Sequence, residues 1–305
     1  MCGFFGLQSF SLDKSEKISI SRKAINLLNS RGPDANGYVL DDENNLVFSH
    51  NRLSILDLTE TGSQPMVSNS GNLLMIYNGE IYNHLILRQE LKDNNNFNNW
   101  KGTSDSETLI QAIDIWGIEK TLKKINGMFS FSIWNRQSKS LYLARDRFGE
   151  KPLYYSWIPQ NASFVFGSDL IFDKLFKNIK FELNDEALND LLHLNYINNN
   201  YSIFKNVYKL DPGCYAEIHF KKNRSPKIDR NRYWKLENIN YKKDNLNHLE
   251  SINQLDIKLS NIVKNQIFAD VEVGTFLSGG IDSSLITAKA QEVSSKRVKT
   301  FCIGT

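Results

Sequence analysis

Met1-Cys2-Gly3-Phe4-Phe5-Gly6-Leu7 sets a cysteine directly ahead of an apolar run. Residues 4–7 read as a buried strand. No basic n-region or cleavage site is present, so the segment is not a signal peptide. Once Met1 is removed, which the small second residue favours, Cys2 carries the chain's free α-amine. An α-amine titrates at about 7.7–8.0 and a thiol at about 8.5. The amine can therefore act as base towards the thiol of its own residue. No histidine is required as base, and His50, His84, His193, His219 and His248 sit in no recognisable motif.

Downstream, apolar spacing predicts a helix over residues 15–29, which Arg31-Gly32-Pro33-Asp34 ends, since proline disfavours helix at the residue before it. Strands are expected at 37–40, 46–49 and 73–77, and a second helix over 105–116. Residues 128–134, 141–144, 154–157 and 164–167 continue a sheet. The asparagine-rich stretches 94–99 and 198–200 read as exposed loops. Residues from about 235 to 247 read as a polar linker, followed by an amphipathic helix carrying Ile252, Leu255, Leu259, Ile262 and Val263. A strand at 271–277, a glycine turn, a helix over 282–291 and a strand at 298–303 make one βαβ unit, which implies a parallel sheet.

The bulk properties are those of an ordinary globular chain. Its 305 residues suffice for two domains, with 41% hydrophobic and 23% charged residues. A net charge of +3 with interspersed signs gives no reason to expect a nucleic acid or membrane partner. The basic run Lys221-Lys222, Arg224 and Lys227 reads as a solvated hairpin or linker. Three scattered cysteines, Cys2, Cys214 and Cys302, form neither a disulfide framework nor a zinc site and suit a reducing compartment. A cytoplasmic location is expected.

Arg31-Gly32-Pro33-Asp34, Asn51-Arg52-Leu53-Ser54-Ile55, Tyr77-Asn78-Gly79-Glu80-Ile81-Tyr82-Asn83 and Ser104-Asp105-Ser106-Glu107 complete a pattern with the N-terminal cysteine. Asn126-Gly127-Met128-Phe129, Ala144-Arg145-Asp146-Arg147-Phe148-Gly149 and Lys151-Pro152-Leu153-Tyr154 extend it. The chain thereby resembles the class II glutamine amidotransferases, which are N-terminal nucleophile hydrolases. The resemblance implies a four-layer α/β/β/α sandwich with Cys2 as nucleophile. It implies an oxyanion hole from the Asn78 side chain and the Gly79 N–H, whose donors must stand in place before charge develops. Arg52 would grip the glutamine α-carboxylate through its planar fork, and Asp105 the α-ammonium. Leu53, Ser54, Ile55, Leu56 and Glu80 would line the same pocket. Away from that resemblance, Asp105 reads as a helix N-cap and Arg52 as a surface ion-pair residue. Arg31-Gly32-Pro33-Asp34 reads as structural or as part of a closing loop. Asp146 and Arg147 read as a structural ion pair near the domain interface.

Ser278-Gly279-Gly280-Ile281-Asp282-Ser283-Ser284 follows a strand and opens a helix. Its glycines leave N–H groups free to face a phosphate, and the helix N-terminus adds partial positive charge. It lacks GK[ST] and is not a Walker A loop; it resembles the pyrophosphate loop of the ATP pyrophosphatases. By that resemblance Leu277, Ser278, Gly279, Gly280, Asp282, Ser283, Ser284 and Ile303 would contact ATP, with Asp282 helping to place Mg²⁺, which prefers oxygen ligands. ATP and Mg²⁺ enter as a substrate complex, and no bound organic cofactor is expected.

The two motifs together resemble glutamine-dependent asparagine synthetases, which make ammonia from glutamine and deliver it to an ATP-activated aspartate. The fold class expected is α+β: an Ntn-hydrolase sandwich over residues 2–210, a connecting hairpin and linker over 211–247, and an incomplete parallel α/β PP-loop domain over 248–305. Glutamine, ATP and aspartate are the expected small-molecule partners, an apolar ammonia channel between the domains is expected, and a homo-oligomer is compatible with the sequence. The aspartate site, acidic Mg²⁺ site and adenylation lysine of that family have no counterpart in these residues. This chain alone is therefore expected to act as the glutaminase only. The alternatives are an amidotransferase acting on another carboxylate or a sugar in surface-polysaccharide synthesis, and a non-catalytic glutamine-sensing domain.

Overall fold

The computed structural model describes residues 1–198, 200–222, 224–238 and 246–304. They form two compact units: Met1–Ser54 with Thr59–Leu236, and Ile55–Leu58 with the described residues from Glu237 onward.

The first unit contains strands β1 (Gly3–Ser9), β2 (Ala35–Asp41), β3 (Leu46–Arg52), β4 (Met66–Val67), β5 (Leu73–Ile81), β6 (Gly127–Asn135), β7 (Ser140–Arg145), β8 (Tyr154–Ile158), β9 (Ser163–Gly167), β10 (Val207–Lys209), β11 (Cys214–His219) and β12 (Lys227–Arg232). Its helices are α1 (Lys14–Leu28), α2 (His84–Asn95), α3 (Asp105–Trp116), α4 (Ile118–Lys124), α5 (Phe172–Leu175) and α6 (Asp185–Leu194). One sheet runs β10-β8-β9-β1-β3-β2 and the other β12-β11-β7-β6-β5-β4. All neighbours are antiparallel.

The central strands of both sheets are covered on both faces, which explains why β1 and β3 are buried at every position. Between them lie Phe4, Phe48, Leu74, Ile76, Trp134, Leu143, Phe164 and Phe166. Outside the first sheet, Ala24 and Leu28 of α1 pack on Phe5, Leu7 and Val47. Outside the second, Leu87, Leu109, Ile110 and Leu122 of α2, α3 and α4 cover Met75, Tyr77, Phe129 and Phe131. The result is the α/β/β/α sandwich. Each enclosed aromatic contributes on the order of 2–3 kcal/mol of transfer free energy. Asp13 starts α1 with a reciprocal capping box to Glu16.

Two expectations change. The hairpin at 211–232 is not a connector: β11 pairs with β7, so it completes the second sheet, and the unit runs on to Leu236. Asn94 and Asn95 close α2 and Asn96 takes the left-handed cap (φ 52°), so that stretch is partly helical. Part of the expected linker, residues 239–245, lies outside the described residues, as do Asn199 of the second asparagine-rich stretch and Asn223 of the basic run.

The second unit holds α7 (His248–Gln266), β13 (Gly274–Phe276), α8 (Ile281–Val293) and β14 (Lys299–Phe301). β13 and β14 pair in parallel, Gly274 opposite Lys299 and Phe276 opposite Phe301. This is the single βαβ unit expected. Phe276 is 78% exposed and Phe301 56%, so its apolar positions are not enclosed in this chain. Among the described residues no helix is long and apolar enough to cross a membrane.

Candidate active site

Strand parity brings the N-terminal motifs together. Phe4 pairs with His50 and Gly3 with Asn51, so the register carries Cys2 towards Arg52. Phe4, Phe48, Leu74 and Ile76 face the space between the sheets. Residues two apart share a face, so Cys2, His50, Arg52 and Asn78 belong to that same side, at one end of the sandwich.

Cys2 is partly buried. Its Sγ accepts the Leu53 N–H at 3.4 Å and lies 3.7 Å from the Leu53 carbonyl. Burial pushes the thiol up, opposed by the Leu53 N–H, and the charges of Asp105 and Arg52 are felt there. Arg52 is 7% exposed, and its Nη1 donates to the Thr59 carbonyl at 2.7 Å. Burial holds the Asp105 carboxyl above its usual range, against the pull of two donors. Those are the Ile81 N–H at 2.8 Å and the Tyr77 hydroxyl at 2.7 Å, both on Oδ2. Asp105 is not the helix cap expected of it: Ser104 is, its Oγ accepting the Glu107 N–H at 3.2 Å, and Asp105 is the first helical residue. Glu80 lies in the same field. Burial, then Asp105, pushes its carboxyl up to about 7, against Lys151 and the N-terminus.

Asn78 is 1% exposed, and its Nδ2 has no hydrogen-bond partner among the described residues. A buried amide donor without a partner costs on the order of 1–3 kcal/mol and calls for a reason. Gly79 is required by packing as well as by any ligand. A Cβ there would stand 2.3 Å from the Met128 carbonyl oxygen and 2.7 Å from Phe129 Cα.

Arg31-Gly32-Pro33-Asp34 organises the loop after β3. Arg31 Nε donates to the Cys2 carbonyl at 3.3 Å. Gly32 lies flat on the Asn51–Arg52 peptide, where a Cβ would approach the Asn51 oxygen to 2.3 Å. The Asp34 carboxylate accepts the Ser54 N–H at 2.7 Å, and its own N–H donates to the Arg52 carbonyl. Leu53 and Ser54 are thus held beside Cys2. Ile55 and Leu56 fall in Ile55–Leu58, which groups with the second unit. There the Ile55 carbonyl accepts the Asp270 N–H at 3.0 Å.

Asp146 and Arg147 do not form the expected ion pair. The Asp146 carboxylate collects the N–H groups of Phe129, Phe148, Glu150 and Lys151, while Arg147 Nη2 donates to the Ile125 carbonyl. Consecutive loop side chains here point to different partners. Tyr77, Gln64 and His50 were not singled out from sequence. Tyr77 lies inside a quoted motif, but nothing local marks the side chains that hold its backbone.

In the second unit, Gly279 takes φ +81°, which lets the turn between β13 and α8 form without strain. Gly280 caps α8 without a side-chain bond, leaving the N-terminal N–H groups of the helix uncapped by side chains. Ser278 Oγ and Ser283 Oγ stand 3.0 Å apart, and Ser283 Oγ also donates to the Gly280 carbonyl. Ser284 N–H bonds the same carbonyl. Leu277 N–H donates to Phe301, and Ile303, beyond β14, is 82% exposed. Asp282 lies in the first turn of α8. No group of three His, Cys, Asp or Glu side chains is placed to hold a metal among the described residues, so Asp282 makes no metal site by itself.

The family model for glutamine amidotransferase domains matches residues 1–234, most of the chain and all the residues converging on Cys2. The chain belongs to the glutamine amidotransferase domain family. Residues 254–305 match the asparagine synthase model. It is 33% identical to the glutamine-hydrolyzing asparagine synthetase 2 of Bacillus subtilis over 96% of its length, covering 39% of that protein. It is 33% identical to asparagine synthetase 1 of the same organism over 100% of its length, covering 46%. A Methanocaldococcus jannaschii relative, also 33% identical, is covered for 60%. The chain thus spans about half the length of these curated relatives. Among solved structures, the glutamine phosphoribosylpyrophosphate amidotransferase of B. subtilis superposes over 99% of this chain and 65% of its own. The TM-score is 0.54 at 16% identity, a likeness of fold.

Proposed function

We propose that the chain hydrolyses glutamine to glutamate and ammonia at Cys2, as the ammonia-producing part of a glutamine-dependent asparagine synthetase. The observation that carries the glutaminase step is the partnerless Asn78 Nδ2, a buried donor on the same face as the thiol. Gly79 supplies the second donor by parity. The N–H of Tyr77 goes to Gln64 Oε1 and that of Ile81 to Asp105 Oδ2. The Gly79 N–H leaves the same edge of β5 between them.

With Met1 removed, the Cys2 α-amine takes the proton from Sγ as sulfur attacks the side-chain amide carbon of glutamine. The resulting oxyanion accepts from Asn78 and Gly79. Collapse breaks the C–N bond, and the protonated α-amine returns its proton to the departing nitrogen, which leaves as ammonia. Water, deprotonated by the same amine, then opens the thioester to release glutamate. Arg52 grips the α-carboxylate, with Leu53, Ser54 and Glu80 lining the pocket, while Asp105 receives the α-ammonium. In the whole protein the ammonia goes to an ATP-activated aspartate, with the loop from Leu277 to Ser284, and Ile303, on ATP. Asp282 would meet Mg²⁺ only together with phosphate oxygens.

The test is glutamate release by wild type and Cys2→Ala, with mass spectrometry of the N-terminus. Cys2→Ala should be inactive and wild type should begin at Cys2. A retained Met1 in an active enzyme would remove the α-amine from the mechanism.

A further inference from the structure

β5 outruns its partner. β4 contributes only Met66 and Val67, paired with Met75 and Leu74, so among the described residues the edge of β5 from Tyr77 onward has no strand beside it. An antiparallel neighbour would satisfy both the N–H and the C=O of Tyr77. Two side chains do so instead. Gln64, two residues before β4, accepts the Tyr77 N–H on Oε1 at 2.7 Å. His50, from the opposite sheet, meets the Tyr77 carbonyl with Nε2 at 3.0 Å. The acceptor is a carbonyl, so Nε2 carries the proton.

His50 is fully buried, and burial lowers its titration to about 4, which keeps the ring neutral. Its Nδ1 has no partner among the described residues. The Tyr77 carbonyl is therefore the polar contact that orients the ring, rather than one link in a wider network. The ring stands two residues from Arg52 on one strand and meets the residue before Asn78 on another. A single side chain thus ties the strand that ends at Arg52 to the strand carrying Asn78 and Gly79.

We propose that His50 and Gln64 are positioning residues for glutamine hydrolysis, replacing the strand that β5 lacks and fixing the Tyr77 peptide so that Asn78 and Gly79 face the oxyanion. This rests on the glutaminase reading above. Neither residue touches substrate. Their effect belongs to the transition state, because glutamine's amino-acid end is held elsewhere.

The experiment compares wild type, His50→Phe, His50→Gln and Gln64→Leu in steady-state glutamine hydrolysis. Each is also inhibited with glutamate γ-semialdehyde. The Cys2 thiol adds to that aldehyde carbon, and the thiol proton passes to the oxygen, which occupies the oxyanion position. His50→Phe and Gln64→Leu should lower kcat by about 30- to 100-fold, the scale of a misplaced donor. They should weaken the aldehyde by a similar factor while KM for glutamine stays within about twofold. His50→Gln, whose amide N–H reaches the same carbonyl, should recover activity to within about threefold of wild type. Folded His50→Phe or Gln64→Leu, judged by circular dichroism, with unchanged kcat and aldehyde affinity overturns the assignment, as does a loss confined to KM. If His50→Phe does not fold, Gln64→Leu decides by the same criteria. Wild type without glutamine hydrolysis overturns the glutaminase reading itself, and the assignment with it.

Discussion

Burial holds the Cys2 thiol protonated, and a protonated thiol needs a base before it can attack. The pocket around it is correspondingly sensitive to charge. The Glu80 carboxyl, pushed up to about 7 by burial and then by Asp105, is the clearest case. From its ordinary value of 4.5 to about 7 the folded state binds more protons there than the unfolded chain. Its contribution to stability therefore falls as pH rises through that window and is flat above it, and Glu80→Gln should flatten that part of a pH series of urea melts. If Glu80 lines the glutamine pocket as proposed, only its ionised form attracts the substrate ammonium, so KM for glutamine should fall as pH rises through about 7 in wild type and not in Glu80→Gln. Arg52→Ala should raise KM about 10- to 100-fold with kcat within about threefold, since a charged hydrogen bond contributes roughly 1.5–3 kcal/mol to ground-state binding. An equal fall in kcat would remove Arg52 from the carboxylate. Cys2, Arg52, Asn78 and Asp105 could be proposed from sequence because each sits in a short motif that carries the family resemblance. His50 could not. Its one hydrogen-bond contact among the described residues is the Tyr77 carbonyl in the other sheet, 27 positions away along the chain.

At the level of elements, loops in this fold are held by single carboxylates. Asp146 gathers four backbone N–H groups while 1% exposed. Removing it strands several buried donors at once, so Asp146→Ala should lose at least ~3 kcal/mol in urea unfolding. Asp146→Asn, which keeps one acceptor oxygen, should lose less. Equal stability for wild type and Asp146→Ala would show that water replaces the carboxylate. Sequence adjacency with Arg147 suggested a pair, yet the Asp146 carboxylate is satisfied by loop N–H groups and the partly buried Arg147 guanidinium by the Ile125 carbonyl. The strands β1 and β5 were legible because burial on both faces writes a continuous apolar run, and β6 because its apolar residues recur at a strand's spacing. β12, Lys-Ile-Asp-Arg-Asn-Arg, was not, since an edge strand facing solvent carries a polar sequence. α2 was missed because its apolar residues fall on no single stripe, Leu85 being 56% and Ile86 61% exposed, and because its end is asparagine.

Across the whole chain, order should be uneven. β1 is enclosed at all seven positions, whereas β14 is exposed at all three. Local opening follows the density of enclosed contacts. Amides of β13 and β14 should exchange at least ~100-fold faster than those of β1 and β5 in hydrogen-exchange mass spectrometry; equal protection would contradict the described packing. The sandwich itself was legible from the order of motifs. The placement of the 211–232 hairpin was not, because joining an existing sheet depends on a free edge at β7 that no local pattern announces. One consequence of the β5–β6 ladder reaches further. Asn78 stands opposite Ser130 in a run of nine matched pairs. A slip of one residue would turn Asn78 into the helix layer and bring Tyr77 inward. The chemistry is therefore written in whether a position is odd or even. Inserting one residue between Leu74 and Met75 should silence the enzyme more completely than many substitutions in the pocket.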